Sequence, residues 1–419
     1  MRIAVIGSGI SGLACAHYLS ARHEVSVFEA GPRVGGHTAT VDVQLGTRRY
    51  AVDTGFIVFN DWTYPNFIAL LEELGVASRA TSMGFSVSDP ASGLEYAGSS
   101  LDTLFAQRRN LLSPGFLGMV RDILRFNREA VADLEAGRLG VEETLGDYLA
   151  RNGYGARFSS HYLAAMGSAI WSADCATILE FPVSFFLRFF RNHGLLSVTN
   201  RPQWRTIEGG SREYLGPLCA RFAGRIRVDC PVEKVVRLPQ GGVELVLPRG
   251  EQARFDQVVI ATHSDQALAM LDTPSVAERE VLGAIPYQEN DVVLHTDVRL
   301  LPRRRKTWSS WNYSLTQGGR AVVTYNMNIL QGIEAPETFC VTLNNSAAIN
   351  PHKVLGRFRY DHPVFSLPGL AAQARWEEIN GVADTWFCGA YWHNGFHEDG
   401  VVSALRVANA IDERLEVAA

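Results

Sequence analysis

The residues near the start of this chain that could do chemistry are three glycines and an acid. Gly7, Gly9 and Gly12 form a G-x-G-x-x-G turn directly after the apolar run Ile3–Ile6. In such a turn the first glycine permits a tight bend, the second lets the backbone approach a pyrophosphate, and the third lets a helix pack closely on a strand. Glu29 stands 22 residues after Gly7, where a carboxylate can accept a hydrogen bond from a ribose hydroxyl. The spacing predicts a site for the diphosphate and ribose of a dinucleotide.

A strand, a helix and a second strand must hold these residues in place. The apolar run predicts the first strand, Ile10 and Ser11 open the helix, and residues 24–28 form the second strand. The first N–H groups of the helix have no carbonyl partner and are available to phosphate oxygens. A secretory signal would need an unbroken apolar stretch of about 7–15 residues. Because glycines interrupt this stretch, we interpret it as part of the fold.

A second glycine-rich turn follows the acid. The segment from Ala30 to His37 contains Arg33, Gly35 and Gly36. Here the sequence resembles the flavin-containing amine oxidoreductase superfamily, which includes monoamine and polyamine oxidases, phytoene desaturases and protoporphyrinogen oxidases. The resemblance implies that this turn makes a second set of contacts to the diphosphate of FAD, for which a guanidinium and free amides are suited. NAD leaves in every turnover and needs no second set, so we predict tightly held FAD.

The resemblance continues at later positions of the chain. It implies that Gly55 to Ile57 run beside the isoalloxazine, that the backbone of Val232 contacts the adenine, and that Gly389 precedes a loop before a final helix. Asp399 is predicted either to cap that helix or to adjoin the flavin. The predicted cofactor-binding residues are Gly7, Gly9, Ile10, Ser11, Gly12, Glu29, Ala30, Arg33, Gly35, Gly36, His37, Gly55, Phe56, Ile57, Val232, Ala261, Thr262, Gly389, Asp399, Gly400 and Val401.

These positions predict an α/β fold in which a Rossmann-type FAD-binding domain is discontinuous. We assign residues 1–60, 203–275 and 380–419 to that domain. The inserted substrate domain, of α+β type, comprises residues 61–202 and 276–379. Its first part is predicted to be mostly helical, and strands are predicted within residues 290–298, 307–315, 320–330 and 338–345, forming a sheet over the flavin.

Composition excludes several classes of protein. The net charge of −5 argues against a nucleic-acid partner, and the basic run at residues 303–306 is interpreted as a solvated or membrane-facing edge. The six cysteines are scattered without metal-binding spacing, so we expect reduced thiols and no metal site. No apolar run is long enough to span a bilayer. The expected location is the cytoplasm, with contact to a membrane surface as an alternative.

Lysines bear on the type of reaction. The resemblance implies that amine oxidases generally carry a lysine that holds a water at the flavin N5 edge. This chain has only Lys234, Lys306 and Lys353. Lys234 falls in the adenine-side strand, which leaves Lys306 as the catalytic candidate, although it also fits a basic surface edge. His37 stands where many relatives carry arginine, and this departure also weakens the amine oxidase interpretation.

Aromatic residues suggest a different substrate. Phe181, Phe185 and Phe189 recur at helical spacing, preceded by Trp171 among small residues. They predict either core packing or a wall for a long apolar substrate, with Trp311 as a fixing point at the pocket mouth.

Tyr391 and Trp392 lie in the loop that, by resemblance, passes the substrate side of the flavin. They are candidates for catalysis and for substrate binding. Two aromatic rings there could hold an amine through cation–π attraction or pack against a hydrocarbon. Simple packing of the loop onto the core is the alternative to both.

We therefore predict an FAD-dependent oxidoreductase that removes a hydride from a largely apolar small molecule or lipid. The favoured substrates are an unsaturated or methyl-branched fatty acyl chain, or an isoprenoid, in a desaturase-like dehydrogenation. One alternative is a flavin amine oxidase that produces an imine and hydrogen peroxide. A second alternative is a non-catalytic protein that binds FAD or a lipid. The sequence leaves the electron acceptor and the oligomeric state open.

Overall fold

The computed structural model describes residues 1–315 and 322–418. The strands are β1 (Arg2–Ile6), β2 (Glu24–Phe28), β3 (Thr40–Leu45), β4 (Arg48–Asp53), β5 (Phe59–Asn60), β6 (Ser78–Ala80), β7 (Phe85–Asp89), β8 (Leu94–Ala97), β9 (Trp204–Ile207), β10 (Ile226–Arg227), β11 (Lys234–Arg237), β12 (Val243–Val246), β13 (Gln252–Phe255), β14 (Gln257–Ile260), β15 (Tyr287–His295), β16 (Trp311–Ser314), β17 (Val322–Asn326), β18 (Cys340–Leu343), β19 (Val354–Pro363) and β20 (Thr385–Phe387). The α-helices are α1 (Ile10–Leu19), α2 (Pro65–Glu73), α3 (Leu101–Leu104), α4 (Pro114–Glu135), α5 (Leu145–Arg151), α6 (Ala156–Phe158), α7 (Ala164–Trp171), α8 (Cys175–Leu179), α9 (Val183–Asn192), α10 (Leu215–Cys219), α11 (Ser264–Met270), α12 (Val276–Gly283), α13 (Met327–Leu330), α14 (Leu367–Gln373), α15 (Trp376–Ile379) and α16 (His397–Ala418). Within these described residues, no helix has the length and apolar character needed to cross a membrane.

A parallel sheet forms the centre of the cofactor half, in the order β10-β2-β1-β14-β20. Ile3, Ala4 and Val5 of β1 are fully buried, as expected for a strand that helices cover on both faces. Helix α1 is apolar around most of its circumference because it packs between the sheet and α16. The predicted α/β fold class is confirmed.

The same edge of this sheet carries four of the predicted cofactor positions. Gly7 follows β1, Glu29 follows β2, Ala261 follows β14, and Gly389 comes two residues after β20. Because the strands are parallel, their carboxyl ends lie side by side. Ligands of open α/β sheets bind at this edge.

The second large sheet has the order β19-β15-β18-β17-β16-β7-β8 and is antiparallel except between β16 and β7. Four of its strands lie where strands were predicted at residues 290–298, 307–315, 320–330 and 338–345. The predicted strand at 320–330 is observed from Val322, and its first two positions fall outside the described residues. Strand β19 was not predicted.

The prediction that residues 61–202 are mostly helical is only partly correct. Helices α4 to α9 do surround an aromatic core, but β7 and β8 form a hairpin that adds two strands to the second sheet. The alternation Phe85-Ser86-Val87-Ser88, followed by a turn that ends at Gly93, is the period-two signal that would have revealed this hairpin.

The predicted domain boundaries separate the strands of the two large sheets but not all the helices. Phe67 and Leu70 of α2, Val281 of α12 and Trp376 of α15 all pack in the core that surrounds the parallel sheet. These helices belong structurally to the cofactor half, because a parallel sheet needs helices on both faces to exclude water. The segments 61–202 and 276–379 thus contribute to both halves.

Candidate cofactor and active site

The first glycine turn has the geometry that its spacing predicts. Gly7 has a φ of +97°, and a Cβ at Gly12 would lie 2.0 Å from the carbonyl oxygen of Gly7, so helix α1 packs directly on the turn. A Cβ at Gly9 would meet no heavy atom within 4 Å. Gly9 is also the N-cap of α1 and has no side chain to occupy the first N–H groups of the helix. The turn leaves an open space in front of free N–H donors.

Glu29 is held in position by two loops. Its carboxylate accepts hydrogen bonds from the backbone N–H and the hydroxyl of Ser8, at 3.0 and 2.5 Å, and from the N–H of Gly31 at 2.8 Å. Sequence reasoning did not identify Ser8, which is one of the variable positions of the glycine motif. The orientation of Glu29 is therefore fixed before any ribose arrives.

The second glycine turn lies against the first. The N–H of Gly35 donates to the carbonyl of Ser8 at 2.9 Å, and a Cβ at Gly36 would lie 3.0 Å from the Cα of Gly9. The guanidinium of Arg33 donates to the carbonyls of Gly36 and Thr38, at 2.9 and 3.0 Å. In this structure Arg33 stabilises the turn itself, and its contact with a diphosphate stays a prediction.

The first turn of α16 meets the first turn of α1. A Cβ at Gly400 would lie 2.8 Å from both the Cγ2 atom of Ile10 and the Oγ atom of Ser11. The carboxylate of Asp399 accepts from the N–H of Phe396 at 2.8 Å. Because α16 begins at His397, Asp399 reaches back from the third helical position and is not the N-cap residue. Two helix N-termini converge at this edge, an arrangement that favours an anion.

The segment expected to contact adenine lies beside Glu29, and its contact with adenine stays a prediction. The N–H of Cys230 donates to the carbonyl of Glu29 at 2.9 Å, and the N–H of Asp229 donates to that of Gly31. Val232, two residues further on, is buried. The segment of Gly55 to Ile57 is joined to the second glycine turn, because the N–H of Phe56 donates to the carbonyl of His37 at 2.8 Å.

His37 is surrounded by aromatic and imidazole rings from distant parts of the chain. We call His37, His263 and His362 the imidazole cluster; the ring of His37 lies 5.5 Å from that of His362 and 6.3 Å from that of His263. Burial lowers the pKa of His37 to about 3 and that of His362 to about 4, and it also lowers the pKa of His263. All three rings are therefore neutral at physiological pH. Nε2 of His37 and Nδ1 of His263 are buried without a hydrogen-bond partner among the described residues.

A fourth imidazole, His397, closes the site from the start of α16. Its ring stacks on Phe56 at 3.5 Å, and its Nε2 atom lies 3.1 Å from the hydroxyl of Thr38 and 3.2 Å from that of Tyr214. Burial, followed by the proximity of His37, holds its pKa well below the ordinary value. Sequence reasoning missed His397, although it stands two residues before Asp399 in a motif that was recognised.

These features fit FAD. The open space at Gly9, the free N–H groups of α1 and the adjoining second turn suit a diphosphate, and the fixed Glu29 suits a ribose. The unpaired nitrogens of His37 and His263 are buried polar atoms that need a partner, and they lie where the second turn leads toward residues 55–57. The residues that would hold the flavin ring are therefore His37, Gly55, Phe56 and His263.

Comparison with known proteins decides the family. The sequence model described as flavin containing amine oxidoreductase matches residues 10–325 of this chain. The chain belongs to this family. FAD is its cofactor, and the predicted resemblance is confirmed.

Two individual proteins of known name are similar to this chain over part of its length. A Mycobacterium tuberculosis (strain H37Rv) protein named flavin-containing monoamine oxidase AofH is 26% identical over 67% of this chain, and the match covers only 61% of AofH. A 15-cis-phytoene desaturase of Synechococcus elongatus is 36% identical over 80 residues, which is 19% of this chain and 16% of that protein.

Solved structures share the whole fold. Cyclohexylamine oxidase from Brevibacterium oxydans has a TM-score of 0.71 at 18% identity, with 99% of each chain covered. A fatty acid isomerase from P. acnes that produces CLA has a TM-score of 0.68 at 16% identity, with 97% of this chain and 98% of the other covered. At these identities the likeness concerns the fold.

Of the three alternatives for Tyr391 and Trp392, the structure shows the packing of the loop onto the core. The two ring centroids are only 5.2 Å apart, which is contact distance and leaves no space between the rings for a ligand. Both side chains are buried in the core of the flavoprotein's parallel sheet, and the indole N–H of Trp392 donates to the carbonyl of Phe387 at 3.0 Å. These residues pack the loop onto the core.

Lys306 lies on the basic surface edge that was one of its two interpretations, and Trp311 packs within the second sheet. Lys306 is half exposed and forms an ion pair with Asp102, so it is a surface residue and not a buried lysine beside the flavin. Trp311 packs against Tyr325 at a ring distance of 5.2 Å on the second sheet, and its indole N–H is buried without a partner among the described residues.

Phe181, two residues before α9, and Phe185 and Phe189 within α9 cluster tightly around Trp171, so the predicted helix begins only after Phe181. We call Trp171, Phe181, Phe185 and Phe189 the aromatic wall; the Trp171 ring lies 4.7 to 5.7 Å from the three phenylalanine rings. They belong to the core of the helical half, so the packing role is observed. Their role in substrate binding stays a prediction, which their position supports: Phe189 stacks on Phe396 at 5.1 Å, directly before His397.

Asp399 gives a prediction for stability. Burial raises its pKa to about 7, assisted by the charge of Glu398 and opposed by the hydrogen bond from Phe396. Between about pH 4 and pH 7 the folded state therefore keeps a proton that the unfolded chain releases, so the free energy of unfolding falls as pH rises through this window, by about 2–4 kcal/mol. Asp399→Asn should remove most of this slope in urea unfolding. Equal slopes in the native protein and the Asp399→Asn variant would contradict the assignment.

Proposed function

We propose that this flavoprotein dehydrogenates a largely apolar substrate, an unsaturated or methyl-branched fatty acyl chain or an isoprenoid. The observation that carries the proposal is the continuity between the aromatic wall and the cofactor edge. Phe185 stacks on Phe365 at 4.9 Å, and a Cβ at Gly395 would lie 3.3 Å from the ring of Phe365. Gly395 and Phe396 lead directly into α16, whose Gly400 adjoins Ser11 at the glycine turn. Aromatic side chains thus extend from the helical core to the cofactor.

The distribution of lysines supports the same conclusion. Lys234, Lys306 and Lys353 are all exposed, and the first two form ion pairs with Asp272 and Asp102. The chain therefore has no interior lysine that could hold a water at the flavin. The amine oxidases of this superfamily generally carry such a lysine.

Dehydrogenation of neighbouring carbons releases a hydride and a proton, and forms a carbon–carbon double bond. When bound, FAD supplies the acceptor for the hydride. For the proton, His263 offers a neutral, half-buried imidazole with a buried, unpaired nitrogen; the ring of His37, whose pKa burial lowers to about 3, is the weaker base. A neutral ring has the free electron pair that a general base needs.

Two similar proteins support a hydrocarbon substrate by what their names say. One is the phytoene desaturase of Synechococcus elongatus, and the other is the fatty acid isomerase from P. acnes.

An amine oxidase is the second candidate, since two other similar proteins are named monoamine oxidase and cyclohexylamine oxidase. The observation that favours it is the buried carboxylate of Asp399 beside Phe396, which could pair with an ammonium group.

Anaerobic reduction of the flavin tests the proposal. We expect a monounsaturated or methyl-branched fatty acyl substrate, or an isoprenoid, to bleach the yellow protein, and lipids of the same class to be detected by mass spectrometry after gentle purification. Cyclohexylamine and putrescine serve as the amine controls. Anaerobic bleaching by amines, followed by release of hydrogen peroxide once oxygen is admitted and reoxidises the flavin, would select the amine oxidase. Bleaching by none of these compounds would favour a protein that binds FAD or a lipid without turnover.

A further inference from the structure

Five leucines of the helical half point away from the core. Their exposed fractions are large for apolar side chains: Leu101 76%, Leu111 49%, Leu112 88%, Leu117 42% and Leu124 58%. All five lie within residues 101–124, whereas apolar side chains on a monomer surface are usually scattered singly. This grouping of exposed leucines requires an explanation.

On α4 the exposed leucines alternate with arginines. Leu117, Arg121, Leu124 and Arg128 are all exposed and lie at intervals of four, three and four residues, which places them in one stripe along the helix. Phe126 and the other apolar residues of the opposite side pack in the core. Helix α4 therefore has one apolar face that packs in the protein interior and a second face, made of leucines and arginines, that is exposed.

A basic run from elsewhere in the chain joins this surface. The carboxylate of Asp102 pairs with both Arg108 and Lys306, which brings residues 303–306 beside the segment that contains Leu101. Residues 95–135 and 303–306 together contain nine basic and six acidic side chains, although the whole chain has a net charge of −5. The positive charge is concentrated where the leucines are exposed.

We propose that the exposed side chains of residues 101–128 and of the basic run 303–306, here called the leucine–arginine face, bind the surface of an anionic lipid bilayer. Leucines can enter the boundary between headgroups and acyl chains while arginines contact phosphates, as in other interfacial segments. The charge argues against a second copy of this chain, because a two-fold interface would place two positive faces together. The membrane-binding proposal rests on the exposure of the leucines and on the charge of the surface, and it goes beyond the proposed dehydrogenation.

The fold behind this face is consistent with access for a lipid. Phe105 and Phe116, whose rings are 5.6 Å apart, line its inner side and belong to the same aromatic core as Phe189 of the aromatic wall. The leucine–arginine face thus covers the half of the molecule to which the proposed apolar substrate is assigned.

Flotation of the FAD-bound protein with vesicles tests this proposal. We expect it to float with vesicles of phosphatidylcholine and phosphatidylglycerol and not with phosphatidylcholine alone, and to be released by salt. The double variant Leu111→Asn/Leu112→Asn should lower the partition coefficient about tenfold or more. Arg121→Gln/Arg128→Gln should lower it and weaken its salt dependence. Val276→Asn and Arg357→Gln change exposed residues elsewhere and should have no effect.

Other results would overturn the proposal. Failure of the native protein to bind anionic vesicles, or equal binding by the leucine variant, would reject the bilayer. Sedimentation that shows a native dimer and a monomeric leucine variant would make the face an interface between copies. Flavin content and bleaching by detergent-dispersed substrate, measured on the same variants, should stay unchanged, so that failure of the proposed enzymatic function is distinguished from failure of membrane binding.

Discussion

Gly9→Val is expected to yield a folded protein that purifies colourless. The backbone of Gly9, with φ −68° and ψ 178°, is accessible to any residue, and a Cβ there would meet no heavy atom within 4 Å. The substitution therefore costs the protein itself little. In the complex, the valine would occupy the space of the pyrophosphate, and overpacking of about 3 kcal/mol lowers FAD affinity roughly 100-fold.

Two other glycines provide matched controls for this experiment. Gly118→Val on α4 also enters open space, and it should remain folded and yellow. Gly12→Val should fail to fold, because its Cβ would lie 2.0 Å from the carbonyl oxygen of Gly7. The flavin-to-protein absorbance ratio and circular dichroism check both properties. A yellow Gly9→Val protein with stoichiometric FAD would show that the diphosphate lies elsewhere.

Phe189→Ala is expected to slow reduction of the flavin by an apolar substrate far more than Lys306→Met does. Phe189 is 4% exposed and stacks on Phe396 beside the cofactor edge, whereas Lys306 forms a surface ion pair. Each buried CH₂ of an acyl chain contributes about 0.8 kcal/mol, so loss of a whole ring from the wall should reduce the rate tenfold or more, about 1.4 kcal/mol.

A second buried phenylalanine separates substrate binding from stability. Phe126 belongs to the same core but contacts Tyr148, Tyr154 and Phe158, away from Phe396. Phe126→Ala and Phe189→Ala should both lower the free energy of unfolding, by about 3–5 kcal/mol. Only Phe189→Ala should slow anaerobic bleaching. If both variants slow bleaching equally, the aromatic wall has only a structural role. If Lys306→Met alone slows bleaching by orders of magnitude, the amine oxidase replaces the dehydrogenase as the proposed function.

The parts of the site that sequence reasoning found are those that local spacing determines. Gly7 is required by its φ of +97° and Gly12 by the carbonyl oxygen of Gly7, whereas Gly9 leaves space for the cofactor. The spacing of the three glycines therefore identifies the turn without knowledge of the fold. Glu29 follows from the length of one strand–helix–strand unit. These positions, together with the parallel sheet, could be predicted.

The parts that it missed depend on contacts between distant segments. His263 and His362 reach His37, which was itself a predicted position, only because segments more than 200 residues further along the chain adjoin it. Likewise, the spacing of Tyr391 and Trp392 is compatible with a cage and with core packing, and only the contact distance of their rings distinguishes the two. Exposure of Lys306 depends on the neighbouring Asp102, to which no sequence motif points.

The meeting of α1 with α16 has a consequence for biosynthesis. Gly400 adjoins Ile10 and Ser11, and β20 completes the parallel sheet beside β14. The first segments to be synthesised therefore cannot complete their packing until residues nearly 400 positions later have been made. Such long sequence separations slow folding. A nascent chain on the ribosome that lacks α16 would expose the apolar side of α1 and could not retain flavin. We therefore expect cofactor capture to follow synthesis of that helix and chaperones to shield the first strands until then.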